Sequence, residues 1–162
     1  MLIELSIAAT GALNITAWLV IQLGLAWLAN QVRIDRFDAS GLLAREKRWE
    51  RAGRFYERWC RIKSWKDKLP DAGRWLSGGF SKAQLRDKTK AHLERFARET
   101  WRGELVHWLA LLCLPVFCVW NPWWGVLVNA AVAVALNLPC IFALRYNRAR
   151  FQRLLALLNT LS

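Results

Sequence analysis

Long apolar runs alternate with stretches dense in charge along this chain. Residues 2–29 form the first apolar run, with Glu4 and Asn14 as polar interruptions. A helix of that length crosses the roughly 30 Å hydrocarbon layer at about 1.5 Å per residue. The second apolar run spans residues 105–144 and is divided by Asn121-Pro122, with Trp120, Trp123 and Trp124 around the division. Pro and Asn break helices and favour turns, and Trp prefers the boundary between lipid and water. The pattern therefore predicts a helical hairpin, with arms at 105–120 and 123–144 and its tip at the far membrane surface. The first arm is short and contains Pro115, so two arrangements fit: three full crossings, or one anchor plus a re-entrant hairpin.

Between the apolar runs the periodicity changes. Around residues 43–63, Trp49, Ala52, Phe55, Tyr56, Trp59 and Ile62 recur at helical spacing, with Arg45, Lys47, Arg48, Arg51, Arg54, Arg58 and Arg61 filling much of the rest. This predicts an amphipathic helix with an aromatic stripe and a basic face, suited to lying in the membrane plane. The plain alternative is a core helix of a small domain. A loop is expected at 65–73 and a turn at Gly78-Gly79. Ser81, with Gln84 in a capping box or replaced as cap by Asp87, opens a helix running to about Thr100, or on into the second apolar run. After residue 144, Phe151, Leu154, Leu155, Leu158 and Leu161 share one face of a basic amphipathic tail helix.

The expected fold is thus an all-α integral membrane protein. It comprises an anchor at 1–30, a basic cytoplasmic or interfacial helical region at 31–104, a membrane hairpin at 105–144 and a C-terminal helix at 145–162. A cleaved signal peptide is the rival reading of the first run. It fits poorly, because the start is acidic and Trp27-Leu28-Ala29-Asn30 lacks the small-x-small cleavage pattern.

Composition sharpens this picture. Hydrophobic residues make up 55% of the chain, yet its formal net charge is +12. All 24 Lys and Arg lie at 33–102 or 145–153. Basic loops stay on the cytoplasmic side, so both of these segments are expected there, in a multi-pass protein of a bacterial-type cell membrane. A polybasic surface beside a membrane is explained first by anionic lipid, so no nucleic-acid partner is expected. The four Cys form no C-x-x-C pair and there are only two His, which predicts no metal centre.

Candidate chemistry concentrates at residues 99–108, Glu-Thr-Trp-Arg-Gly-Glu-Leu-Val-His-Trp. Glu104 and His107 are three apart and share a helical face where charge gives way to apolar sequence. A carboxylate that holds one imidazole nitrogen leaves the other to take a proton from a hydroxyl. The plain alternative is an interfacial Glu–His pair on a helix surface. Asn137 and Pro139 interrupt the second apolar run, and Arg145, Tyr146, Asn147 and Arg148 follow it. Guanidinium groups suit phosphate; a stop-transfer anchor pairing with lipid headgroups is the alternative. Trp65, Lys66 and Asp67 sit in the predicted loop, where a solvated turn is the default.

Four segments together resemble the glycosyl-4,4'-diaponeurosporenoate acyltransferase family of staphyloxanthin-type carotenoid synthesis. They are Trp18-Leu19-Val20-Ile21-Gln22-Leu23, residues 63–71 (Lys-Ser-Trp-Lys-Asp-Lys-Leu-Pro-Asp), residues 99–108, and Arg145-Tyr146-Asn147-Arg148. The resemblance implies transfer of a fatty acyl group, with acyl-CoA as co-substrate and no other cofactor, to a sugar hydroxyl of a glycosylated carotenoid or similar glycolipid. Under that implication His107 is the general base, Glu104 orients it and Glu99 assists. Arg145, Arg148 and Lys66 hold the CoA phosphates, and Tyr146, Asn137 or Asn147 steadies the oxyanion. The competing reading is a non-catalytic membrane subunit that recruits a partner through its basic surface.

Overall fold

A computed structural model of the chain describes residues 3–69 and 89–161, and among these every regular element is helical. The turn expected at Gly78-Gly79, the Ser81 cap and the end of the 65–73 loop lie outside the described residues.

Helix α1, Ile7–Gln31, starts at Ser6, whose Oγ accepts the Ala9 N–H at 3.3 Å. That bond satisfies one of the backbone donors that a helix start leaves open. None of the residues of α1 is buried within the chain. A short helix α2, Arg54–Arg58, lies in the connector; α3 is Lys90–Leu112 and α4 is Trp123–Leu161. Three segments, Ile7–Gln31, Lys90–Val119 and Trp123–Thr160, are long and apolar enough to cross a membrane.

Between α3 and α4 the chain turns through a 3-10 helix, Leu114–Val119, with Pro115 in its first turn, and then Asn121-Pro122. The Ile3 N–H donates to the Val119 carbonyl at 3.2 Å, so the start of α1 and this turn share one end of the molecule. Consequently α1 and α4 run parallel and α3 runs against both.

The helices extend beyond the apolar runs. Helix α3 begins at Lys90, so the first hairpin arm carries a charged half ahead of its apolar half. Helix α4 passes through Pro139 and Arg145 without ending. The tail at 145–162 is therefore the last part of α4, where Phe151 and Leu155 pack on Leu93 and Phe96 of α3. The Phe96 and Phe151 rings meet edge to face at 4.4 Å.

The connector departs most from expectation. Residues 43–63 do not form one amphipathic helix. They break into a 3-10 turn at Arg48–Glu50, α2, and a further 3-10 turn at Ile62–Ser64. Arg51, Ala52 and Gly53 are consecutive left-handed residues, with φ of 50, 58 and 82°. Left-handed backbone costs a non-glycine residue about 1–2 kcal/mol. Side-chain bonds to backbone offset it: Glu46 accepts the Ala52 N–H and Glu50 accepts the Lys47 N–H. At Gly53 a Cβ would also come within 3.2 Å of the Tyr146 ring. So folded, the connector lays Tyr56 and Ile62 against Ala143 and Tyr146 of α4.

Candidate active site

Charged side chains from three elements meet where α3 and α4 leave the apolar layer. Glu104 of α3 is fully buried. Arg145 of α4 donates from Nη1 to Glu104 Oε1 at 2.7 Å, from Nε to Glu50 Oε1 at 2.7 Å and from Nη2 to Glu50 Oε2 at 3.0 Å. Arg148, one turn on, donates to the other Glu104 oxygen and from Nε to the Ala44 carbonyl at 2.9 Å. Trp108 Nε1 donates to Glu104 at 3.0 Å and the Tyr56 hydroxyl donates to Glu50. Two guanidinium groups thus balance two carboxylates, and each bond is charge-assisted. Burial pushes the Glu50 carboxyl up. Arg145, the Lys47 N–H and the Tyr56 hydroxyl outweigh that and hold it below the usual carboxylate range. Burial and the neighbouring Glu50 raise the Tyr56 hydroxyl far above its ordinary value, so Tyr56 keeps its proton.

His107 lies one helical turn deeper on α3. Its Nδ1 is 2.9 Å from Asn137 Oδ1 on α4. The Asn137 amide is oriented by two further bonds: Nδ2 donates to the Ala133 carbonyl at 2.9 Å, and Oδ1 accepts from Gln22 Nε2 of α1 at 2.8 Å. A backbone carbonyl can only accept, so the amide nitrogen must face Ala133 and the amide oxygen must face His107. Nδ1 is therefore the protonated nitrogen. The neutral ring then carries its lone pair on Nε2, which has no hydrogen-bond partner among the described residues. An imidazole held in this way keeps Nε2 as its proton-accepting atom.

The pairing of Glu104 with His107 expected from their spacing is not formed. Both residues sit on α3, but the Arg145 and Arg148 guanidinium groups draw the carboxylate toward the charged boundary, and Asn137 takes its place beside the ring. Glu99 pairs with Arg102 at 2.6 Å. Lys66 pairs with its neighbour Asp67, and Trp65 packs against the Tyr56–Ile62 cluster while donating to the Cys60 carbonyl at 2.8 Å. Tyr146 is buried and donates to Glu57 at 2.8 Å. With the Asn137 amide nitrogen also committed, two of the three expected oxyanion donors are spent. The third, Asn147, lies about 15 Å along α4 from Asn137 at the helical rise per residue. Among the described residues, no three His, Cys, Asp or Glu side chains converge as metal ligands would.

Sequence reasoning missed Glu50 and Gln22. Glu50 stands among arginines and reads as surface charge. Gln22 belongs to a ladder: Asn14, Trp18 and Gln22 of α1 donate to Asn121, Asn129 and Asn137 at 3.0, 2.9 and 2.8 Å. The signal was the spacing itself, every fourth residue on α1 answered by every eighth on and before α4.

The chain matches the family described as glycosyl-4,4'-diaponeurosporenoate acyltransferase over residues 40–157. It belongs to this family. Relatives of that name from Staphylococcus aureus strains bovine RF122 / ET3-1 and USA300 are each 28% identical to it over 142 residues, covering 88% of this chain and 86% of theirs. No solved structure matches it. Within an acyltransferase family, the matched region holds His107, Asn137 and the whole Glu50–Glu104–Arg145–Arg148 cluster; Gln22 falls outside it.

Proposed function

We propose that this enzyme esterifies a sugar hydroxyl of a glycosylated carotenoid or similar membrane glycolipid with a fatty acyl group drawn from acyl-CoA. The observation that carries the reading is the bare Nε2 of His107, with its ring held by Asn137 at the inner edge of the apolar layer. In the forward step Nε2 takes the proton of the acceptor hydroxyl as its oxygen attacks the thioester carbonyl. The tetrahedral intermediate then expels the CoA thiolate, which takes that proton back from the imidazolium. An ester and a free thiol result, and the base is regenerated.

Arg145, Arg148 and Lys66 already face carboxylates, so their role toward the donor is to shape the boundary more than to grip phosphate. The exposed Arg45 and Arg48 beside them are the cations that would meet the anionic CoA moiety. The charged connector faces the cytoplasm in this scheme, where acyl-CoA is found, and the lipid-facing helices hold the two long apolar chains. The test is His107→Ala in purified, lipid-reconstituted protein supplied with acyl-CoA and a glycolipid acceptor. Ester formation is expected to fall about 10²–10⁴-fold with the thermal transition unchanged. Full turnover in that variant would remove His107 as the base.

A further inference from the structure

We infer that Gln22 of α1 is a positioning residue for His107, acting through Asn137 to hold the imidazole in the tautomer that leaves Nε2 bare. The inference rests on the reading of His107 as the base. Asn137 is 1% exposed, so its amide has no water to turn to. Its oxygen has two acceptor sites, filled by Gln22 Nε2 at 2.8 Å and His107 Nδ1 at 2.9 Å, and its nitrogen donates to the Ala133 carbonyl at 2.9 Å.

Turning the amide over would set its nitrogen against the Gln22 donor and its oxygen against the Ala133 oxygen. The ring could escape the third clash by moving its own proton to Nε2 and accepting at Nδ1, but that tautomer is no base at Nε2. The Ala133 carbonyl cannot adapt, and Gln22 could follow only by turning its own amide as well, so Gln22 adds a second contact that the inactive arrangement must rebuild. Its bond also gives α1, otherwise unburied, a reason to be part of the site.

The ladder contains its own control. Trp18 makes an equivalent bond to Asn129 at 2.9 Å, and Asn129 leads instead to the Gly125 carbonyl. Trp18 also stacks on Phe117 at 4.6 Å, a contact that Phe can keep. Trp18→Phe therefore removes one α1–α4 hydrogen bond without touching His107.

The experiment uses the full chain with ¹⁵N-labelled histidine in lipid nanodiscs. His92 is the only other histidine, so the two rings can be told apart with His107→Ala. Ring nitrogen shifts report the tautomer, and turnover with acyl-CoA and a glycolipid acceptor gives kcat and KM. In the parent protein and in Trp18→Phe, His107 is expected to show a protonated Nδ1 and a bare Nε2. In Gln22→Met a measurable fraction should shift to the opposite tautomer, with kcat down about tenfold and KM changed less than about twofold. Gln22→Ala reads out the same way should the Met variant not assemble. Unchanged ring shifts in the Gln22 variants overturn the inference, as does a shifted tautomer with intact kcat, or a Trp18→Phe protein that behaves like Gln22→Met. The tautomer measurement needs no turnover. An active His107→Ala protein would thus sink the base reading separately.

Discussion

At the residue scale, two buried polar groups of similar appearance do different work. Glu104 is a charge inside protein, and its cost is met by two arginines and an indole N–H. Removing one partner of a buried ion pair leaves the others uncompensated, at about 3–5 kcal/mol. Glu104→Gln is accordingly expected to lower thermal stability in detergent by that order. Asn137 is neutral, and interhelical hydrogen bonds of its kind contribute about 0.6 kcal/mol each in membranes. Asn137→Leu, which loses two such bonds, should therefore cost only about 1 kcal/mol of stability while lowering turnover roughly 10²-fold or more, because the ring loses its fixed tautomer. A large stability loss with preserved turnover would reverse the assignment. Glu50 adds a pH dependence. Its folded-state carboxyl lies below its unfolded value, so the stability it contributes is complete above about pH 4.5 and is lost as pH falls through the folded value. The connector should release from α4 in acid, visible as fluorescence changes at Trp49 and Trp65, and Glu50→Gln should show the released state at neutral pH.

At the element scale, the three helices long and apolar enough to cross a membrane were legible because apolar length and the absence of charge are properties of single segments. The hairpin turn was legible for the same reason, since Asn121-Pro122 and its tryptophans act locally. The connector was not, because the aromatic stripe of residues 43–63 has helical spacing and only partners far away in sequence make another path cheaper. Glu50 is drawn to Arg145, and Tyr56 packs on Tyr146. Such long-range capture explains why Arg51, Ala52 and Gly53 sit in left-handed backbone instead of continuing a helix. Gly53→Ala meets both strain at φ 82° and the Tyr146 ring at 3.2 Å, so it is expected to destabilise by about 1–2 kcal/mol. The candidate site was half legible in the same sense. His107 stood out at the edge of an apolar run, but its partner could not be chosen by spacing on one helix when the competing acceptor was on another.

At the scale of the whole molecule, the placement of charge bears on the direction in which three helices long and apolar enough to cross a membrane would do so, and the proposed mechanism depends on that direction. The basic connector and the Arg145–Arg153 end of α4 lie at one end, and the Trp120–Trp124 turn with the start of α1 lies at the other. Were the connector outside, the bare imidazole would open toward a compartment without the acyl-CoA that the proposed function requires. The positive-inside tendency argues for the opposite. Trp123 is 77% exposed at the turn, and Arg58 is exposed on the connector. In a chain whose native cysteines are replaced by Ala, Trp123→Cys should react with a membrane-impermeant maleimide on intact cells, whereas Arg58→Cys should react only after the membrane is opened. The reverse labelling would leave His107 facing away from the donor proposed for it. It would also turn the cationic rim into an external feature, and the acyl carrier would then have to be something other than a cytoplasmic thioester.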